Sequence, residues 1–351
     1  MLYTREQTKV VKVGNLIIGG DAPVSVQSMT NTDTKNIPDT VAQIKRMEKE
    51  GCELVRVAVP DLESCRSLPL IKKEINIPLV ADIHFDYKLA LKSMELGVDG
   101  IRINPGNIKN TDKLKLIIES AKEKELPIRF GINSGSLDSN IVKKYKSITP
   151  QALIESVNNI ITILEEVDYH NVIFSIKSSN VIDTIEANIM FSGKYSYPLH
   201  LGITEAGPPF SGIIKSSVGI GILLYKGIGN TIRISLTDDP VEEIKVGYEI
   251  LKSLNLRKIG LNIISCPTCG RCKVNLSEIV KKVEKQLSSI NKPLTVAIMG
   301  CEVNGPGEAR EADIGIAYSK KNGVLFKKGK VVGKYSNEII IKKLLREIDN
   351  L

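Results

Sequence analysis

Eight times in its first 255 residues the chain sets a short β-branched run before an amphipathic helical stretch. The runs are APVSVQSMT, CELVRVAVP, PLVADIHFD, DGIRINPGN, PIRFGINSG, NVIFSIKSS, PLHLGITEA and TIRISLT. Between them stand helical patterns such as DTVAQIKRMEKEG, TDKLKLIIESAKEKE and PQALIESVNNIITILEEV. Strands separated by helices pair in parallel. Eight such units in about 250 residues predict an α/β fold, a (β/α)₈ TIM barrel, rather than a doubly wound sheet. No Gly-x-Gly-x-x-Gly follows the first run, which also speaks against a dinucleotide-binding fold. Asp39 and Thr111 are expected to open helices as caps. The leading KVVKVGNLIIGG reads as a hairpin with a Gly-Asn turn, closing the barrel floor.

From about Leu256 the pattern changes. LRKIGLNIIS and LTVAIMG read as strands around the helix NLSEIVKKVEKQLSSI, followed by ADIGIAY, a hairpin from Gly323 to Gly333 and a closing helix. The expected division is a barrel over residues 1–255 and a smaller α+β domain over 256–351.

The net charge of +8 is read as Lys and Arg spread along the chain, with no polybasic block. It suits either an ordinary solvated surface or an acidic substrate or partner. Low aromatic content and the absence of Trp argue against a nucleic-acid binder that works by stacking. The start has neither the basic nor the apolar region of a secretory signal. The longest apolar run, Val218 to Tyr225, is far short of a membrane span. A cytoplasmic protein is expected, in which clustered cysteines are metal ligands or redox groups rather than disulfides.

Strand residues two apart share a face. At that spacing the barrel strands carry Asp82 with His84, Arg102 with Asn104 and Arg233 with Ser235. Arg129 and Asn133 sit four apart on one face, Arg56 and Lys177 add single charges, and Glu205 ends the seventh strand. The active site of this fold is built at the C-terminal mouth of the strands. Asp82 and Glu205 can neutralise two of the five cations, which leaves three positive charges in search of an anion. Arg is well shaped for bidentate phosphate contacts, and the loop Asn133 to Ser136 adds amides and hydroxyls. Phosphate or diphosphate binding is the expectation. His170 and His200 are read as structural, and Cys52 and Cys65 as buried small apolar residues.

The remaining four cysteines lie in ISCPTCGRC (Cys266, Cys269, Cys272) and at Cys301 in MGCEVNGPGEAR. Four thiolates suit a structural zinc, and the same ligands suit an iron–sulfur cluster; spacing alone does not choose. Glu308, brought back by the constrained Asn304-Gly305-Pro306-Gly307 turn, tilts the balance. A zinc with four cysteines has no use for a carboxylate, whereas a cluster with three thiolates and one oxygen ligand has an exchangeable iron.

ISCPTCGRC together with MGCEVNGPGEAREADIGIA resembles the cluster domain of the 4-hydroxy-3-methylbut-2-enyl diphosphate synthase family of the non-mevalonate isoprenoid pathway. VQSMTNTDT, VRVAVP, ADIHFD, IRINPGN, RFGINSGS, SIKSS, GITEAG and IRISLT extend the resemblance over nearly the whole chain, in the family's two-domain bacterial form. It implies two-electron reductive opening of 2-C-methyl-D-erythritol 2,4-cyclodiphosphate with loss of water. It implies that Cys266, Cys269, Cys301 and Glu308 hold a [4Fe–4S] cluster, with Glu308 the displaceable ligand and Cys272 a bystander. Arg56, Arg102, Arg129, Lys177 and Arg233, with Asn104, Asn133, Ser134 and Ser235, would grip the cyclic diphosphate. Asp82, His84 and Glu205 would orient the substrate or manage protons. Reduced flavodoxin or ferredoxin would supply electrons, and a homodimer would be the working unit, the cluster domain of one subunit capping its partner's barrel. The alternatives from other classes are a barrel that binds a phosphorylated ligand beside a structural zinc, and a non-redox lyase with the same staple.

Overall fold

The computed structural model of the protein describes residues 4–108, 110–287, 292–301 and 311–351. The chain divides into two compact units, residues 1–257 and 258–351.

In the first unit, strands β1 (Val11–Val13) and β2 (Leu16–Ile18) form the expected hairpin about Gly14, whose φ of 58° favours a residue without a Cβ. The barrel follows: β3 (Ser25–Met29), α1 (Ile37–Lys49), β4 (Leu54–Ala58), α2 (Leu62–Glu74), β5 (Leu79–Ile83), α3 (Tyr87–Glu95) and β6 (Gly100–Ile103). Next come α4 (Thr111–Glu123), β7 (Ile128–Asn133), α5 (Ser139–Tyr145), α6 (Pro150–Val167), β8 (Val172–Lys177) and α7 (Val181–Ser192). The ring ends with β9 (His200–Leu201), α8 (Pro209–Tyr225), β10 (Thr231–Ile232) and α9 (Pro240–Ser253). Every pair of barrel strands is parallel. A parallel bridge from Phe174 to Leu199 joins the last two neighbours and closes the ring. This is the TIM barrel that the eightfold alternation predicts.

Helix entry is set by side chains that accept orphan amides. The caps of α1 and α4 are Asn36, accepting from the Asp39 amide, and Asn110, accepting from the Lys113 amide. Asp39 and Thr111 instead lie inside the first turn, a correction to the sequence reading: in each case the chain turns at an earlier Asn. Inside the ring, Val11, Val13 and Ile18 of the hairpin pack against Leu54, Val80 and Ile173, so apolar contact seals the N-terminal end of the barrel.

The second unit is a five-stranded sheet in the order β11 (Leu261–Ser265), β12 (Leu294–Met299), β13 (Ile314–Tyr318), β14 (Asn322–Lys327), β15 (Lys330–Ser336). The first three strands are parallel and the last two antiparallel. Helices α10 (Leu276–Leu287) and α11 (Ile340–Asp349) bring Val283, Leu287, Ile340, Leu344 and Ile348 onto one face, against Val296, Ile298, Ile314, Ile316 and Tyr318. The other face buries Ala297, Met299, Ala317 and Phe326. This smaller unit is the expected α+β arrangement. Among the described residues no helix is long and apolar enough to cross a membrane.

Candidate functional site

The register of the barrel explains why polar residues converge inside it. Asp82 pairs with Arg102 and Arg102 with Arg129 across β5, β6 and β7, so their side chains share the inner face. Asn133 pairs with Lys177 in the same way, two periods of the pleat higher. Two glycines make room for these long side chains. A Cβ at Gly131 would stand 2.6 Å from Arg102 Nε, and one at Gly202 would stand 2.5 Å from Lys177 Nζ. At Gly202 the same Cβ would also stand 2.7 Å from the Arg233 carbonyl oxygen, so only glycine fits there, whereas at Gly131 the Arg102 guanidinium would have to move.

Asp82 is the centre of the network. Arg102 Nη1 donates to its Oδ1 at 3.1 Å, Arg56 Nε lies 3.4 Å from Oδ2, and His84 Nε2 is 3.9 Å from the same oxygen. Burial pushes the Asp82 carboxyl up, but Arg56 and Arg102 outweigh it and hold the group below the usual range. The ring of His84 is partly exposed, at the rim. Arg56 also turns Nε and Nη2 onto the sulfur of Met29, at 3.2 and 3.0 Å. Burial, reinforced by Arg102 and Arg233, lowers its guanidinium to about 10.

The neutraliser of Arg233 was not legible as such. Arg233 donates from Nε at 3.2 Å and Nη2 at 3.1 Å to the two oxygens of Glu243, a buried residue of α9. Ser28 Oγ and the Leu236 amide donate to the same carboxylate. Glu205, expected as the second counter-charge, is exposed in the loop after β9. Its φ of 51° is left-handed, strained for a residue with a Cβ and typical of functional loops. Glu243 hides in a helical pattern, where strand alternation gives no signal. Arg56, Arg102, Arg129, Lys177 and Arg233 therefore meet Asp82 and Glu243, and the surplus among these described groups is three positive charges.

Arg129 lies deeper than the sequence suggests. It is the second residue of β7, well below the mouth, and lines a cavity of about 20 Å³ with Val13 and Ile18 of the floor, room for about one water. Nη1 donates to Gln27 Oε1, while Nε and Nη2 have no partner among the described residues. Burial and the neighbouring Arg56 and Arg102 bring its guanidinium well below the ordinary value. Lys177 is depressed likewise, by burial and then by Arg129. His200, expected to be structural, stands 1% exposed in this same interior, and neither ring nitrogen is hydrogen-bonded among the described residues. Burial and Arg129 keep its imidazole neutral. Its strand alternation with Gly202 was the missed signal. His170, by contrast, hydrogen-bonds the Tyr197 hydroxyl through Nδ1 at 2.7 Å, outside this cluster.

At the mouth, Asn104 Nδ2 donates to Ser136 Oγ at 2.6 Å and its Oδ1 accepts from the Gly106 amide, tying the loops after β6 and β7 together. Ser134 is buried in that loop, Asn133 is half-buried at the end of β7, and Ser235 is half-buried three residues beyond β10. An array of unpaired donors around a net positive interior can hold a polyanion and does little else without one.

In the second unit, Cys266 and Cys301 each follow a parallel strand, β11 and β12, and leave the same end of the sheet. The Gly300 amide lies 3.3 Å from Cys266 Sγ, and the Lys273 amide donates to the Gly300 carbonyl, drawing the cysteine run against Cys301's neighbour. Cys269 is exposed and Cys301 buried. Cys272 Sγ donates to the Val274 carbonyl at 3.2 Å and packs partly buried on the core, close against Gly300. Glu308 lies outside the described residues. Among the described residues no three His, Cys, Asp or Glu side chains are grouped closely enough to hold a metal ion. The donor chemistry at this sheet end, soft thiols just past two neighbouring parallel strands, is nonetheless that of a thiolate-held metal group.

Comparison with known proteins gives these sites a context. Residues 8–248 match the family model described as GcpE TIM-barrel domain, and residues 262–350 match the GcpE protein C-terminal domain. A Clostridium tetani protein named 4-hydroxy-3-methylbut-2-en-1-yl diphosphate synthase (flavodoxin) is 56% identical over 99% of both chains. One of the same name from Caldanaerobacter subterraneus subsp. tengcongensis is 55% identical, covering 100% of this chain and 99% of its own. Among solved structures, Stenotrophomonas maltophilia dihydropteroate synthase superposes with a TM-score of 0.51 at 12% identity, over 69% of this chain and 98% of its own. That likeness is one of fold alone. With both units matched and relatives more than half identical along nearly their whole length, the chain belongs to the GcpE family.

Proposed function

We propose that the protein is a 4-hydroxy-3-methylbut-2-enyl diphosphate synthase, an iron–sulfur oxidoreductase of isoprenoid biosynthesis. It reduces 2-C-methyl-D-erythritol 2,4-cyclodiphosphate, opens the ring at a carbon–oxygen bond to phosphate and expels one hydroxyl as water. In fully protonated forms the change consumes two electrons and two protons. The observation that carries this reading is the surplus of buried cations around Arg129 and Lys177, with no carboxylate paired to either among the described residues. A diphosphate supplies the missing anion. Arg56, Arg102, Arg129, Lys177 and Arg233 would grip it, with Asn104, Asn133, Ser134 and Ser235 donating around the rim. Asp82 would keep Arg56 and Arg102 in position, and His84 and Glu205 at the mouth would orient the substrate or move protons.

Cys266, Cys269, Cys301 and Glu308 would hold a [4Fe–4S] cluster, and Cys272 would stand by. When bound, such a group supplies electrons singly to the reduction. Electrons would come from reduced flavodoxin or ferredoxin in the cytoplasm. A homodimer is supported by an apolar strip on α8, where Phe210, Ile214, Val218 and Tyr225 are exposed at helical spacing.

Anaerobically purified protein should contain about four irons and four sulfides per chain and consume the cyclic diphosphate under reduction. Cys272→Ser should keep the metal content and Cys301→Ser lose it. One zinc without sulfide, persisting after reconstitution, would mean a structural staple instead and end the redox reading.

A further inference from the structure

The positive charge of the chain is divided along the boundary between its units. Residues 1–257 contain 31 Lys and Arg and 31 Asp and Glu, whereas residues 258–351 contain 17 and 9. The whole formal excess of +8 thus belongs to the smaller unit: Lys and Arg are spread along the chain, but only in the first unit do acids balance them. Lysines on an edge strand commonly serve only to discourage edge-to-edge pairing. Lys328 and Lys330, at the β14–β15 turn, fit that role.

A second group lies at the other end of the sheet. Ser265 of β11 pairs with Ile298 of β12, and Ile298 with Ile316 of β13, so Cys266, Cys301 and Tyr318 all leave one end. The β13–β14 turn carries Lys320 and Lys321 there, since Tyr318 pairs with Gly323 across it. β15 returns to the same end, Ser336 opposite Asn322, and delivers Lys342 in the first turn of α11. Arg271 and Lys273 stand in the cysteine run itself, held there by the bond from the Lys273 amide to the Gly300 carbonyl. All five are exposed, and none has a carboxylate within 4 Å among the described residues. The described carboxylates at this end are Glu278, bonded to Asn275, and Glu338.

We infer that this end of the sheet, framed by Lys320, Lys321, Lys342, Arg271 and Lys273, is the docking face for an acidic one-electron carrier protein. The inference rests on the functional reading above, which requires electrons to reach the cysteines from outside. The relatives carry flavodoxin in their names. Charge of one sign around an electron-accepting group steers an oppositely charged carrier to it and speeds encounter more than it tightens the complex. Two encounters, each oxidising the carrier by one electron, balance the two-electron reduction of one substrate.

The test is Lys320→Glu/Lys321→Glu in the cluster-loaded enzyme, since these side chains lie in an exposed turn outside the cysteine motifs. Turnover of the cyclic diphosphate is measured with reduced flavodoxin and, separately, with reduced methyl viologen. With flavodoxin the apparent KM for the carrier should rise about tenfold or more. Its salt dependence between about 0.05 and 0.5 M should flatten. With viologen, rate and substrate KM should match wild type, and Lys320→Arg/Lys321→Arg should behave as wild type with both donors. An unchanged carrier KM overturns the docking face. So does an equal loss with both donors, which would mean these lysines serve the substrate or the fold. Wild-type enzyme inactive with both donors would overturn the functional reading and the docking face with it.

Discussion

In the barrel, Arg56, Arg102 and Arg233 lie within 3.4 Å of Asp82 or Glu243 and are largely closed off from water. In the smaller unit, Lys320, Lys321 and Lys342 stand in solvent with no described carboxylate within 4 Å. The first arrangement couples charge to a bound anion at contact distance, because a buried cation without a partner is costly. The second acts at a distance and is weakened by salt. One chain therefore carries two kinds of positive charge, and net charge alone describes neither.

The largest expected difference lies in the barrel floor. Arg129→Met should lower kcat/KM for the cyclic diphosphate by roughly 30-fold to several thousand-fold, about 2–5 kcal/mol. It should at the same time leave the empty protein as stable or more so, since an unpaired buried charge is removed. Steady-state kinetics and urea unfolding on one preparation measure both. A variant that loses stability and keeps its kinetics breaks the contrast, for Arg129 would then be a structural cation.

A smaller effect separates the ion pairs of the two units. Glu243→Gln should cost about 3 kcal/mol of barrel stability by leaving Arg233 unpaired, and Arg233→Met in the same chain should recover part of it. Glu347→Gln, which removes the part-exposed partner of Lys327, should cost about 1 kcal/mol or less. Equal costs in denaturant titrations would show that burial is not what distinguishes them.

The smallest effect is a fraction of a proton. Lys177 is held well below its ordinary 10.5, so between the two values the unfolded chain binds more protons and the empty barrel gains stability as pH rises. An anion beside Lys177 restores its charge. In the interval below 10.5 where the empty site holds Lys177 neutral, pyrophosphate binding should therefore take up protons, seen as a binding enthalpy that varies with the buffer's ionisation enthalpy. Lys177→Met should abolish the uptake. His200 follows the same sign below its ordinary 6.5.

Much of this was legible in the chain itself. Period-two alternation put Asp82, Arg102, Arg129 and Lys177 on inner faces, because neighbouring strand residues must point to opposite sides. The strand–helix repeat required a parallel sheet, and Cys266 and Cys301 each stand just past a strand, as the sequence places them. Depth was not legible. The motif RFGINSGS does not reveal that its Arg stands near the floor and its Asn at the mouth, because strand stagger is a property of the closed ring. Nor does VEEIKVGYEI reveal that Glu243 turns inward to Arg233 while Glu242 faces Lys245. Local patterning determined the elements, their inner faces and the kind of chemistry they carry. Closure of the barrel decided which carboxylate meets which cation and left Arg129, Lys177 and His200 without one among the described residues. Burial, which sets the cost of a charge, exists only once distant segments are packed together.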